Sequence, residues 1–215
     1  MVTRVVEVAP GRLVGWVDRY AATHPGTVAS AADGGLQLDT DSGAGASLVP
    51  LLPFGPDPGT ADDGLVPALA GHASRPTVVA LLLIRRGGYA VGVARGGDLV
   101  TSKVGSRYVQ SRTAAGGWSQ QRFARRREGQ ARDLVRAAVE AWSNLPREPT
   151  RSSTPAALVT GGDRTLCEQM LAEGAARDLL ALGRLRHLEV PDPRLAVLQE
   201  AARRAMALVV TVREP

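Results

Sequence analysis

Residues 77–106 read TVVALLLIRRGGYAVGVARGGDLVTSKVGS, and this stretch decides the fold. It opens on an uninterrupted apolar run, which is typical of a strand buried on both faces. Glycine pairs then follow at two places, and glycine readily adopts the backbone conformations that tight hairpin turns need. The sequence therefore predicts a three-stranded meander made of Thr77–Ile84, Tyr89–Ala94 and Leu99–Tyr108, with turns at Arg86-Gly87-Gly88 and Gly96-Gly97.

Helical and strand patterns alternate after the meander. A long helix is predicted from about Ser119 to Asn144, because Leu134, Val135, Ala138, Val139 and Trp142 repeat at helical spacing. Alternating strands and helices after a meander indicate an α/β (α+β) fold, in which a mixed β-sheet is flanked by helices. The further elements are strand Ala156–Thr160, a helix capped by Asp163, strand His187–Val190, helix Pro193–Ala205 and strand Ala207–Val212.

A smaller αβ region is predicted before the meander. Its elements are strand Val2–Val8, a helix from Pro10 to about Pro25, and strands Leu36–Asp39 and Ser47–Leu52. Residues 54–64, FGPDPGTADDG, are rich in Pro, Gly and Asp and are interpreted as an exposed loop near a boundary. We therefore expect an N-terminal region 1–72 and a second domain 73–215.

Length and composition exclude several classes of protein. The chain has 215 residues, of which 44% are hydrophobic, so it can form a substantial core. Its longest apolar run, Val78–Ile84, is far shorter than the roughly 20 residues of a membrane span. Cys167 is the single cysteine, and the N-terminus lacks the apolar core of a signal peptide. These features predict a soluble cytoplasmic protein with no membrane association.

Positive charge is concentrated in one segment. The whole chain has a net charge of +5, but residues 99–127 contain seven basic residues and no acid. The other 19 basic and 21 acidic residues leave the rest of the chain at −2. Such a distribution is the electrostatic signature of a protein that binds a polyanion. The seven are Lys103, Arg107, Arg112, Arg122, Arg125, Arg126 and Arg127.

Motifs for other chemistries are absent from the sequence. It contains no phosphate-binding loop, nucleophile elbow or dinucleotide fingerprint. His24, His72 and His187 lack metal-ligand spacing and are interpreted as ordinary surface or boundary residues, and Cys167 as a small buried hydrophobe. No metal site is predicted.

The centre of the basic segment joins glycines, a tryptophan and glutamines. Gly116-Gly117 gives the backbone unusual freedom, and Trp118 belongs to no apolar stripe. Ser119, Gln120 and Gln121 follow, and the first helical turns after them hold only Phe123 as a large apolar residue. A solvated loop followed by a charged helix would explain each feature singly. The absence of acids together with an unpartnered Trp118 favours contact with RNA by Trp118 and the basic residues.

At these residues the chain resembles the actinobacterial branch of the release-factor-like peptidyl-tRNA hydrolases, the VLRF type. These are relatives of the middle domain of eukaryotic class-1 release factors. The resemblance covers about residues 76–215 and is most specific between Arg112 and Arg127. Release factors have a Gly-Gly-Gln tip, whereas the hydrolase relatives have a glycine, two residues and a glutamine, which Gly117, Trp118, Ser119 and Gln120 match. Gln121 leaves the register open by one residue.

The resemblance implies an RNase H-like sheet and a function in ribosome rescue. The implied reaction is hydrolysis of peptidyl-tRNA on a stalled large ribosomal subunit, with peptidyl-tRNA and ribosomal RNA as partners and no cofactor. The catalytic residues would be Gln120, Gly117, Gly116 and Ser119. Because an amide does not titrate near pH 7, Gln120 would orient water or stabilise an oxyanion. Two alternatives stay open: a non-catalytic RNA- or ribosome-binding module, and a metal-dependent nuclease.

Overall fold

The computed structural model describes residues 2–57, 59–106, 119–146, 154–182 and 184–215, with the side chains of the long helix described from Glu128 onward. The chain forms two compact units, one of Met1–Pro76 with Arg203–Pro215 and one of Thr77–Ala202. The sequence-based boundary at residue 72 lies close to the end of the first stretch. The sequence expectation grouped the C-terminal residues with the second domain, whereas in the structure their strand pairs within the first unit.

The first unit is an antiparallel sheet with two helices. Its strands lie in the order β1-β10-β4-β3-β2, so the final strand of the chain is inserted beside the first. The elements are β1 (Val2–Val8), a 3-10 turn (Pro10–Arg12), α1 (Leu13–Thr23), β2 (Val28–Ala32), β3 (Gly35–Asp39), β4 (Gly45–Val49), α2 (Asp62–Ala73) and β10 (Leu208–Glu214).

The core of this unit lies on one face of the sheet. Leu36 and Leu38 are buried against the helices, while Gln37 between them is on the other face, as the two-residue period of a strand requires. The sequence did not predict β2 or α2. Strand β2 has no large apolar residue besides Val28, and α2 is interrupted by Pro67. The loop expected over 54–64 is wrong at its end, because Asp62 and Asp63 form the first turn of α2, where carboxylates are favourable.

The second unit contains the meander and a mixed sheet. The strand order is β7-β6-β5-β8-β9, with β6 antiparallel to its neighbours and β5, β8 and β9 parallel. If the five strands of this sheet are numbered by their order in the chain, they lie in the order 3-2-1-4-5. This is the RNase H-like layout that the resemblance implied. The elements are β5 (Val78–Arg85), β6 (Gly88–Arg95), β7 (Asp98–Ser106), α3 (Ser119–Ser143), β8 (Ala157–Gly162), α4 (Arg164–Ala172), a 3-10 helix (Gly174–Leu182), β9 (Arg184–Leu188) and α5 (Leu195–Met206).

Helices cover both faces of this sheet. Strand β5 is buried over its seven apolar residues, as predicted from the continuous run. Helices α3 and α4 pack on one face, where Leu134, Ala138 and Trp142 are buried as the stripe predicted. On the other face Leu198 of α5 lies close to Gly92 of β6. The mixed sheet flanked by helices is thereby confirmed.

Candidate RNA-contacting site

Strand β7 forms the first part of the basic segment, residues 99–127, and its register fixes which face each residue occupies. Lys103 pairs with Val91, whose side chain belongs to the core beneath α3. Paired residues of neighbouring strands point to the same face, so Lys103 lies on the face that α3 covers. Its side chain is exposed and forms no ion pair within the described residues. The structure therefore brings Lys103 to the same side of the sheet as the arginine-bearing helix.

The end of β7 is anchored by an aromatic ring. Tyr89 is buried, and its ring lies against Gly105, its partner in the neighbouring strand. A Cβ at residue 105 would overlap the Cζ and Oη atoms of that ring. Glycine is required here for close approach of ring and backbone. This contact holds the chain in position two residues before Arg107.

Helix α3 begins at Ser119, where the sequence predicted it. Gln120 therefore belongs to the first turn of a regular helix. Gln120 and Ala138 are 18 residues apart, which is five turns of an ideal helix, so these positions share one face. Ala138 is fully buried against the sheet. Gln121 is rotated from that face by about 100°.

The other predicted site residues divide into two groups. The first group lies within α3 and consists of Ser119, Arg122, Arg125, Arg126 and Arg127. The structure describes the helical backbone at these positions but not the side chains. The remaining ones, namely Arg107, Arg112, Gly116, Gly117 and Trp118, lie outside the described residues.

The first described charges beyond the basic segment follow on α3. Glu128 is the first acid after Asp98, and its side chain is exposed. Asp133 and Arg136 form an exposed ion pair of 2.6 Å one turn apart, and such surface pairs contribute little to stability. The acid-free character of residues 99–127 therefore ends where the apolar stripe of the helix begins.

The three histidines occupy separate structural positions. His24 lies 3.4 Å from Glu214, and His72 contacts the carbonyl of Leu52 at 3.1 Å. His187 lies between the carbonyl of Gly162, 3.2 Å from Nε2, and the hydroxyl of Thr160, 3.0 Å from Nδ1. Because a carbonyl only accepts, this geometry assigns a proton to Nε2. Cys167 is fully buried, as predicted.

Sequence analysis missed Thr160, which is the one fully buried polar side chain among the described residues. It lies near the carboxyl end of β8 and links that strand to His187 of β9. A threonine inside an apolar strand gives no signal for such a partner 27 residues away. No group of three His, Cys, Asp or Glu side chains suited to a metal ion exists within the described part of the chain. Within the same residues, no helix has the length and apolarity needed to cross a membrane.

Tyr20 in the first unit has a clearly shifted pKa. Burial raises the pKa of its hydroxyl, and the carboxylates of Glu214 and Asp39 raise it further, against the opposing charge of Arg213. Its ring stacks between Trp16 at 5.5 Å and His24 at 4.1 Å. Within the described residues its hydroxyl has no hydrogen-bond partner. This cluster belongs to the first unit and stabilises that core.

Comparison with known protein families identifies a stretch that covers the second unit and runs into β10 of the first. The sequence profile of the Actinobacteria/chloroflexi VLRF1 release factor family matches residues 77–211, which is more than half of the chain. The chain belongs to this family. The resemblance to the VLRF type is thereby confirmed, and membership gives the protein a release-factor-like role. The matched residues of this VLRF1 member include β7, the basic segment and α3.

Two further comparisons add little to the family assignment. No curated protein matches the chain. A solved structure described as the Vms1 mitochondrial localization core aligns with 81% of this chain and 74% of its own, at 11% identity and a TM-score of 0.36. At this TM-score the likeness carries no argument, so the fold of the VLRF1 member is argued from its own strand order.

Proposed function

We propose that this protein is a peptidyl-tRNA hydrolase that releases nascent peptide from tRNA on stalled large ribosomal subunits. The observation that carries the proposal is the position of Gln120 in the first turn of α3, three residues after the glycine pair of a VLRF1-family sequence. Peptidyl-tRNA and ribosomal RNA would be its partners. The acid-free basic segment and the exposed Lys103 supply charge for binding their phosphates.

The proposed reaction is hydrolysis of the ester that joins peptide and tRNA. Water attacks the ester carbonyl carbon, the bond from that carbon to the ribose oxygen breaks, and the ribose oxygen receives a proton that the water has lost. Gln120 cannot remove this proton, since a carboxamide is not a base near pH 7. Its amide oxygen can accept a hydrogen bond from the attacking water, and its amide N–H groups can donate to the developing oxyanion.

The other predicted residues would assist this step. Gly116 and Gly117 would allow the backbone to bring Gln120 to the ester. Ser119 would begin the helix that holds Gln120. Trp118 would stack on a base, as aromatic side chains do in single-stranded RNA complexes. No metal or organic cofactor is needed for these roles, because the ribosome and the tRNA surround the ester with further polar groups.

The decisive experiment identifies the bond that is broken. Large ribosomal subunits carrying a labelled peptidyl-tRNA are incubated with the protein, and the masses of the products are determined. A hydrolase produces free peptide and a tRNA of full length with its terminal ribose hydroxyl. A nuclease would instead leave nucleotides attached to the peptide, and a non-catalytic binding module would leave the peptidyl-tRNA intact. Either of the last two results would overturn the proposal.

A further inference from the structure

Arginines outside the basic segment lie at the end of the sheet where β7 ends, next to Arg107 in the sequence. Ser106 of β7 pairs with Gly88 of β6, and Gly88 pairs with Arg85 of β5. Strand β5 is bordered on its other side by β8, and Ile84 of β5 pairs with Gly162 at the end of β8. Neighbouring strands are about 4.8 Å apart, so this end of the sheet spans only about 15 Å from β7 to β8. We call it the carboxyl edge, defined by Ser106, Gly88, Arg85 and Gly162.

Two arginines at this edge are exposed and unengaged. Arg86 occupies the turn directly after Arg85, and Arg164 begins α4, two residues after Gly162. Neither forms an ion pair with any described residue. Arg85 differs from them, because its Nη1 donates to the carbonyl oxygen of Val190 at 3.0 Å. Arg85 thus fixes the turn, and Arg86 next to it is free for a ligand.

Acids lie at this edge too, and the fold engages Asp163 among them. A carboxylate oxygen of Asp163 accepts a hydrogen bond from the backbone N–H of Leu166 at 3.1 Å and caps α4. Gly87 is in the same turn as Arg86, and the carboxylate of Asp192 lies beside this glycine. Glu189 also lies at this end, since it follows Leu188, the partner of Gly161 in β9, and it has an interaction of its own. Together with Arg107, which follows Ser106 directly in the sequence, the arginines Arg85, Arg86 and Arg164 outnumber these three acids.

We propose that the carboxyl edge continues the RNA-binding surface and that Arg86 and Arg164 bind RNA phosphates. The ligand class follows from the chemistry, since guanidinium groups bind phosphates in a bidentate manner and the adjoining segment carries seven basic residues and no acid. The inference rests on the proposed function, because RNA is the polyanion assigned to that segment. It adds two contacts that come from the turn after β5 and the start of α4.

Binding to large ribosomal subunits that carry peptidyl-tRNA tests this surface, measured for the full chain by co-sedimentation at several KCl concentrations. Arg86→Ala and Arg164→Ala should each weaken binding several-fold and lower the slope of log affinity against log salt by about 0.7. Asp192→Asn should strengthen binding, because it removes the negative charge beside the turn. Arg95→Ala is the matched control: Arg95 is exposed too, but it ends β6 at the opposite end of the same sheet.

The outcomes separate this inference from the hydrolase proposal. The surface is overturned if Arg86→Ala and Arg164→Ala both bind like Arg95→Ala with an unchanged thermal midpoint. It is supported if both lose affinity and salt dependence while Arg95→Ala does not. A parent protein that binds the subunits but releases no peptide would overturn the hydrolase and leave the binding comparison intact. Peptide release should be unchanged in Arg95→Ala, since Arg95 lies at the opposite end of the sheet.

Discussion

The ring of Tyr89 occupies the space that a Cβ at Gly105 would need, in the register pair next to the end of the β6–β7 ladder. Replacing Gly105 with alanine forces the new Cβ into the ring, so either the ring or the last residues of β7 must move. We expect the free energy of unfolding to fall by about 1–3 kcal/mol, as measured by urea denaturation. We also expect weaker peptide release, because the end of β7, directly before Arg107, is displaced.

Gly129→Ala provides the control for Gly105→Ala. Gly129 is inside α3, and a Cβ at this position has no atom within 4 Å. Alanine should therefore stabilise the helix by about 0.5–1 kcal/mol relative to glycine. Equal effects of the two substitutions on stability would contradict the requirement for glycine at residue 105.

The second prediction concerns catalysis. Gln120→Ala should reduce the rate of peptide release by on the order of 100- to 1000-fold, the usual loss when a positioned donor is removed. Binding to the ribosome and the thermal midpoint should change little. Gln121→Ala should have the smaller effect, since this position is rotated by about 100° around the helix. Rates are measured by release of labelled peptide under single-turnover conditions.

An exposed glutamine of α5 serves as the control for this pair. Gln199→Ala removes the same group from a helix outside the site and should leave release unchanged. If Gln120→Ala and Gln121→Ala both release peptide at the parental rate, the assignment of a catalytic glutamine is wrong.

The third prediction concerns the arginines of α3. If Arg122, Arg125, Arg126 and Arg127 bind phosphates, replacing two of them with alanine should flatten the salt dependence of RNA affinity by about one to two units on a log–log plot. Affinity for the large subunit is measured across a series of KCl concentrations. The double variant Arg12→Ala/Arg95→Ala removes the same charge elsewhere and should keep the parental slope. A slope that is unchanged by the α3 substitutions would place the RNA surface elsewhere.

The fourth prediction concerns Tyr20. Because the folded state raises the pKa of its hydroxyl, the neutral form is favoured by folding, and this contribution is present below pH 10. It is lost as the pH rises through the folded-state pKa. The parent protein should therefore lose stability above pH 10, and Tyr20→Phe should lose less. Urea denaturation at pH 8 and between pH 10 and 11 measures the difference.

The same substitution has an expected effect at neutral pH. The hydroxyl of Tyr20 is buried without a partner among the described residues, so removing it should leave stability unchanged or raise it by up to about 1 kcal/mol. A clear loss of stability in Tyr20→Phe at neutral pH would mean that the hydroxyl makes a favourable interaction. An equal alkaline loss in parent and variant would contradict the raised pKa.

Local signals determined much of the second unit from the sequence alone. The apolar run before Arg85 produced β5, the glycine pairs produced the two turns, and the stripe ending at Trp142 produced α3. Asp163 was also predicted as a helix cap. These features depend on the periodicity and conformational preference of neighbouring residues, which are written in consecutive positions. The concentration of charge before Glu128 is likewise a property of the sequence alone.

Tertiary structure alone decided which distant residues meet. Strand β10 pairs with β1, so that Val2 meets Glu214 from the opposite end of the chain. The local pattern of β10 would allow pairing with any apolar strand of suitable length. Only the completed core selects the partner. The link from Thr160 to His187 and the shared edge of Arg86, Ser106 and Arg164 arise in the same way. Strand order and register set these neighbours, and both depend on burial across the whole sheet rather than on adjacent residues.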